Sequence, residues 1–256
     1  MLETINAILK RIKIMRPLVL NISNQVSMDF VANGLLALGA SPIMTQAIQE
    51  IDDLIQLAEA VVINIGTLNE EFITLAERAS RQANDCRKPL VLDPVGAGAS
   101  EYRTSHCLSL LRQFNFNLLR GNASEVAALS GSRIRSGGVD TRLFTEEAIE
   151  SAKEISRAYS LITVVSGASD AIVDEKRVEW LSGGSALMSQ VTGAGCLFTA
   201  IIALFIAVWE DPFQASCAAT LFYSLCAERA AQDASGPGSF KMHFLDHLAN
   251  GERLVA

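Results

Sequence analysis

The feature that most constrains this chain is an alternation. Short apolar runs are each followed by small or polar residues and then by a longer stretch with apolar side chains at helical spacing. The runs are Leu18-Val19-Leu20, Pro42-Ile43-Met44, Val61 to Ile65, Leu90-Val91-Leu92-Asp93, Phe116 to Leu119 and Ile162 to Val165. An apolar run of strand length without polar alternation belongs to a strand covered on both faces, and strands separated by helices pair in parallel. The order therefore predicts an α/β fold with a mostly parallel sheet between two helical layers. After Asp170 the pattern changes: Ala171-Ile172-Val173 and Val178-Glu179-Trp180 flank Asp174 to Arg177, which reads as an antiparallel hairpin. The C-terminal third reads as mostly helical.

With 256 residues, 50% of them apolar, and neither an internal repeat nor a linker, residues 1–256 read as one domain. The loosest segment, Ser130 to Thr141 with Gly131, Gly137 and Gly138, reads as a surface loop or a flap. The 21 Lys and Arg against 28 Asp and Glu give a net charge of −7, which argues against nucleic acid as a partner. Met1 to Arg16 places Leu2, Ile5, Leu9 and Ile12 on one helical face with its basic residues after them, the reverse of a signal peptide. Cys196 to Trp209, the most apolar stretch, would rise about 21 Å as a helix, less than the ~30 Å of a bilayer core, so it reads as a core helix and no membrane partner is expected. Five cysteines without a C-x-x-C pair point to free thiols and a cytoplasmic setting.

In open α/β sheets ligands bind beyond the carboxyl ends of the strands. Val191-Thr192-Gly193-Ala194-Gly195-Cys196 enters the core helix through small residues, which suits either a backbone cradle for phosphate or a plain glycine turn with Thr192 as the cap. Cys196 falls in the first turn, where the helix dipole is expected to lower its thiol pKa; the other reading is a small core residue. Asp93 follows one strand and Arg120-Gly121-Asn122 the next. Glu125 stands at capping-box spacing from Asn122, and it reads either as a helix cap or, with Asp93, as a carboxylate near Mg²⁺. His243 and His247 are four apart, either a metal pair with Asp246 or a solvated helix face. No Gly-x-Ser-x-Gly elbow occurs, which argues against a common hydrolase.

Taken in order, Asn21 to Asn24, Asn33 to Met44, Val62 to Leu68, Leu92 to Gly98, Arg120 to Glu125, Val191 to Cys196 and Gly236 to Phe240 resemble the hydroxyethylthiazole kinase family of the ribokinase-like group over nearly the whole chain. The resemblance implies a three-layer ribokinase-like fold and Mg²⁺-dependent transfer from ATP to the alcohol of 4-methyl-5-(2-hydroxyethyl)thiazole in thiamine salvage. It also implies a homotrimer with sites at subunit boundaries. By that resemblance Met44, Asn24 and Gly193 contact the thiazole, and Arg120, Ser166 and Asn122 serve ATP. Asp93 and Glu125 lie near the metal, and Gly193, Ala194, Gly195 and Cys196 form the catalytic turn. Cys196 stands where most ribokinase-like kinases carry an aspartate base. The chain departs from the family pattern at Leu20, Ser23, Asp29, Ser166 and Ala194. The alternatives are a thiazole- or nucleotide-binding relative with impaired catalysis and a ribokinase-like kinase for another small alcohol.

Overall fold

The computed structural model describes residues 1–131 and 144–254. Eight strands, β1 (Leu18–Ile22), β2 (Ser41–Met44), β3 (Ala60–Asn64), β4 (Leu90–Asp93), β5 (Leu118–Asn122), β6 (Ile162–Ser166), β7 (Ser169–Val173) and β8 (Val178–Ser182), form one sheet in the order β2-β1-β3-β4-β5-β6-β7-β8. β1 to β6 are parallel, and β7 and β8 continue the sheet antiparallel. Each expected run overlaps a strand, although Phe116 and Asn117 lie just ahead of β5 and Ile65 just past β3. The hairpin is longer than its apolar residues suggested and includes Ser169 and Asp170.

Successive strand residues point to opposite faces, and this splits the interior into two cores. Val62, Val91 and Val164 join a core with α1 (Leu2–Met15), α2 (Met28–Ala37), α8 (Ala194–Val208), α9 (Pro212–Asp233) and α10 (Pro237–Ala249). Val61, Ile63, Leu90, Leu92 and Val165 join the other, with α3 (Ile51–Leu57), α4 (Glu70–Asp85), α5 (Glu101–Gln113), α6 (Ala123–Leu129) and α7 (Ile149–Tyr159). The result is three layers.

α8 is apolar on nearly every side because it packs on β1, β3 and β4 beneath α2 and α9. It is therefore the buried core helix that its sequence predicted. No helix among the described residues is long and apolar enough to cross a membrane. The amphipathic α1 buries Ile5, Ile8, Leu9 and Ile12. All five cysteines are unpaired, with Cys107, Cys217 and Cys226 buried as small core residues. His247 pairs with Asp233 on α9 rather than with His243, and no metal-holding group of three or more His, Cys, Asp and Glu side chains occurs among the described residues. The loop expected over Ser130 to Thr141 lies, beyond Gly131, outside the described residues.

Candidate active site

The site grows from the carboxyl ends of the central strands. β3 and β4 run in register, so Asn64 and Asp93 end side by side. Asn64 Nδ2 donates to Asp93 Oδ2 at 2.8 Å, and Thr199 on α8 donates to the same oxygen at 2.9 Å. Asp93 Oδ1 is buried without a partner. Burial pushes the Asp93 carboxyl up to about 6, against the opposing pull of the Arg120 charge and the Thr199 hydroxyl.

One strand further on, Glu125 closes a capping box at the start of α6. Asn122 Oδ1 accepts the Glu125 N–H at 2.9 Å, and Glu125 Oε2 accepts the Asn122 N–H at 2.8 Å. Its second oxygen accepts the Gly96 N–H at 2.8 Å, which ties the loop after β4 to α6. The cap and the paired carboxylates thus coexist. Burial, with the Asp93 charge added, pushes Glu125 up to about 7.

Gly193 caps α8 at φ +88, a left-handed conformation, and a Cβ there would stand 2.9 Å from Ser27 Cβ. Gly193, not Thr192, is the N-cap, and no side chain bonds the cap. The first-turn amides at Gly195 and Cys196 consequently have no carbonyl within the helix to receive them. Arg120, from β5, lies against this turn: a Cβ on Gly195 would stand 2.6 Å from Arg120 Nη1. The guanidinium donates to Ser166 Oγ at the end of β6 and sits over the Phe198 ring, 5.3 Å from its centre. Its Nε is buried without a partner. One cation and a row of free amides therefore converge where an anion would lie.

Cys196 corrects an expectation. Its thiol accepts a hydrogen bond from Asn24 Nδ2 at 3.5 Å, but its pKa is pushed up to about 11, first by burial and then by the Asp93 charge. Desolvation and a neighbouring carboxylate outweigh the helix terminus, so the thiol is neutral near pH 7.

On the far side of Arg120 a cavity of about 530 Å³ opens between the ends of β6 and β8 and helices α8 and α9. Arg120, Ser166, Gly195, Asp170, Met188 and Tyr223 are in its lining. Tyr223 donates to the Ala194 carbonyl at 2.6 Å and stacks on Phe198, which fixes the turn from behind. Asp170 accepts the Gly167 N–H at 3.0 Å, and burial pushes its carboxyl up to about 6. A larger cavity, about 790 Å³, lies by Asn117, Tyr159 and Lys176 at the opposite ends of β5 and β6 and contains none of the expected residues.

Asn24, Gly193, Ala194, Gly195, Cys196, Arg120, Ser166 and Asp93 thus gather around one turn, with Glu125 and Asn122 adjoining. Met44 stands apart, half-buried at the end of the edge strand β2 opposite Asn21. Two departures from the family pattern lie away from the turn: Leu20 is wholly buried in the core beneath α3, and Asp29 is exposed on α2, where it accepts from Asn33 at 3.0 Å. Sequence reasoning missed Asn64, Thr199, Asp170 and Tyr223. Asn64 ends its strand as Asp93 does, and Thr199 is three residues past Cys196 on one helical face. Tyr223 and Asp170 carried no local signal.

The model of the family described as "Hydroxyethylthiazole kinase family" matches residues 9–252. A hydroxyethylthiazole kinase of Carboxydothermus hydrogenoformans is 40% identical over 98% of this chain and 93% of its own length. One of Leptospira biflexa is 43% identical over 91% of this chain and 87% of its own. The structure of the hydroxyethylthiazole kinase protein from Pyrococcus horikoshii superposes with a TM-score of 0.88 at 39% identity, covering 97% of this chain and 93% of that one. A Bacillus subtilis pyridoxal kinase shares the fold at a TM-score of 0.65 and 19% identity. A match that spans both cores and every strand end of the site leaves one assignment: the chain belongs to the hydroxyethylthiazole kinase family.

Proposed function

We propose that this chain transfers the γ-phosphoryl group of ATP to the hydroxyethyl alcohol of 4-methyl-5-(2-hydroxyethyl)thiazole, giving the thiazole phosphate and ADP for thiamine salvage. Family membership supports the reaction, and one observation supports its placement. The Arg120 guanidinium and the free amides of α8 meet at a single turn, with the 530 Å³ cavity on one side and Asn24 and Cys196 on the other. Phosphoryl transfer depends mainly on position and charge stabilisation, and this turn supplies both.

ATP occupies the cavity, with Arg120, Ser166 and the neighbouring Asn122 on its phosphates. The thiazole lies by Asn24, Gly193 and Met44, and its alcohol points at the turn. At the Gly193-Ala194-Gly195-Cys196 turn the free Gly195 and Cys196 amides and Arg120 take up charge on the transferring oxygens, while the Ala194 N–H is already held by the Val191 carbonyl. The neutral Cys196 thiol orients the alcohol, which keeps its proton until the new O–P bond forms and then gives it to a phosphoryl oxygen. A loose transition state demands no strong base for this order.

The residues fit Mg²⁺. Asp93 has a bare buried oxygen, its charge raises the proton affinity of Glu125, and Mg²⁺ takes one or two carboxylates with waters and phosphates. Asp93 and Glu125 would hold it, through water in the case of Glu125, whose two oxygens already serve backbone amides. When bound, the ion offsets charge on the β- and γ-phosphates.

The family resemblance supports a homotrimer in which a neighbouring subunit covers the thiazole side, where Val26 and Ile48, close in sequence to Asn24 and Met44, are exposed. Five unpaired thiols support a cytoplasmic setting. The single sheet shared by both cores supports reading residues 1–256 as one kinase domain.

The test is ATP-dependent phosphorylation followed by mass detection, with pyridoxal and hydroxymethylpyrimidine as competing acceptors and Mg²⁺ present. Thiazole phosphate is the expected dominant product. A folded enzyme that makes none of it overturns the assignment.

A further inference from the structure

We propose that Asp170 accepts a hydrogen bond from a ribose hydroxyl of the nucleotide and so makes the enzyme prefer ribonucleotides to deoxyribonucleotides. The proposal rests on the reading of the 530 Å³ cavity as the nucleotide site.

The cavity has a polarity. Arg120 and the Gly195 amide mark the end that takes phosphate, and Phe198, Met188 and Ala186 offer apolar wall to a flat base. Asp170 lines the same space from β7. Its carboxylate accepts from the Gly167 N–H, one residue past the Ser166 hydroxyl that takes the Arg120 hydrogen bond, which places it beside the phosphate end. A carboxylate cannot usefully face phosphate oxygens, because it is an acceptor like them and carries the same charge. The part of a nucleotide next to the phosphates that donates hydrogen bonds is the sugar.

The side chain is also held for the task. One oxygen, Oδ1, accepts the Gly167 N–H at 3.0 Å, which fixes the carboxylate across the β6–β7 turn. Oδ2 receives no donor among the described residues. A ribose hydroxyl would fill that place with a charge-assisted bond, the stronger kind.

Asp170→Asn separates this role from simple bracing of the turn, because the amide oxygen can still accept from Gly167 while the bare oxygen becomes an NH₂ donor. Affinities of ATP, 2′-deoxyATP and 3′-deoxyATP are measured by calorimetry on both proteins, together with KM and kcat. The wild-type enzyme is expected to bind one deoxy analogue about tenfold more weakly than ATP. The variant is expected to bind ATP about tenfold more weakly and to lose that discrimination, with the loss in KM for ATP and not in kcat. Equal wild-type affinity for all three nucleotides overturns the proposal. So does a variant that keeps the wild-type ratio between them, or one whose only change is in ATP against GTP, since that would put the carboxylate at the base. A wild-type enzyme that binds none of the nucleotides instead removes the nucleotide-site reading, and the proposal with it.

Discussion

The two sides of the α8 turn treat charge in opposite ways. On the side proposed for the nucleotide a cation, Arg120, is packed against backbone amides at the edge of an open cavity, with Nε still unpaired. On the acceptor side the polar groups beside Asp93 are neutral: Asn24, Asn64, Thr199 and the Cys196 thiol. Positive potential is thus laid down on one side, while on the other Asp93 and Glu125 are buried deeply enough that desolvation outweighs the pull of Arg120. The difference teaches where binding energy resides. One side presents charge that an anion would meet, and the other would be relieved by a cation.

Removing the cation should break this contrast most severely. Arg120→Met keeps an apolar stem over Phe198 but deletes the charge on the turn, and the amides then face the transferring phosphoryl group alone. A loss of about 10²–10³-fold in kcat/KM for ATP is expected, the range for deleting one preorganised donor. KM for the thiazole alcohol should change far less. Steady-state kinetics with each substrate varied in turn checks this, and an equal rise in both KM values would mean that Arg120 organises the whole site and not its nucleotide side.

A second experiment sharpens the comparison through pH. The folded values of Asp93 and Glu125, about 6 and about 7, lie above their ordinary 3.8 and 4.5. Between those limits the native state binds more protons than the unfolded chain, so the pair lowers stability as pH rises. The sign is opposite to that of a salt-bridged carboxylate. The ligand-free enzyme should therefore lose melting temperature from pH 5 to pH 8. Asp93→Asn should flatten that fall and melt higher than the wild type at pH 8, because its amide oxygen can keep the bonds from Asn64 and Thr199. Its turnover should drop by about 10²-fold, a magnitude typical of losing one charge-stabilising group. Melting curves that coincide for the two proteins across this range would show that Asp93 is not strained in the free enzyme.

How much of this was legible in the sequence follows from the range of each interaction. The strands were visible because burial on both faces leaves an unbroken apolar run, and the capping box because Asn122 and Glu125 are three residues apart. The cap of α8, read at Thr192, is Gly193, since small residues carry no periodic signal. Asp170 stayed hidden: its surroundings come from β6, β8, α8 and α9, which only the tertiary fold brings together. Leu20 departs from the family pattern, yet the alternation of β1 turns it into the opposite core. Local patterns thus carry elements and caps, whereas the potential at a site depends on what is buried beside it.

Cys196 is the instructive case, and it yields the smallest expected effect. A helix N-terminus favours a thiolate by a modest amount that falls off within one turn, but here the sulfur is covered and a carboxylate stands near it, and these raise its pKa to about 11. If the thiol only orients the alcohol, a serine hydroxyl can do the same from nearly the same place, and it can still accept from Asn24. Cys196→Ser should then lower kcat by no more than a few fold, within the span of one neutral hydrogen bond. The sharper readout is the shape of the pH profile. A thiolate base would give the wild type a rise in kcat with an apparent pKa in the alkaline range, absent from the variant. Parallel profiles for the two proteins from pH 7 to pH 10 are expected, and they would leave charge stabilisation at the turn, with no side-chain base, as the source of the rate.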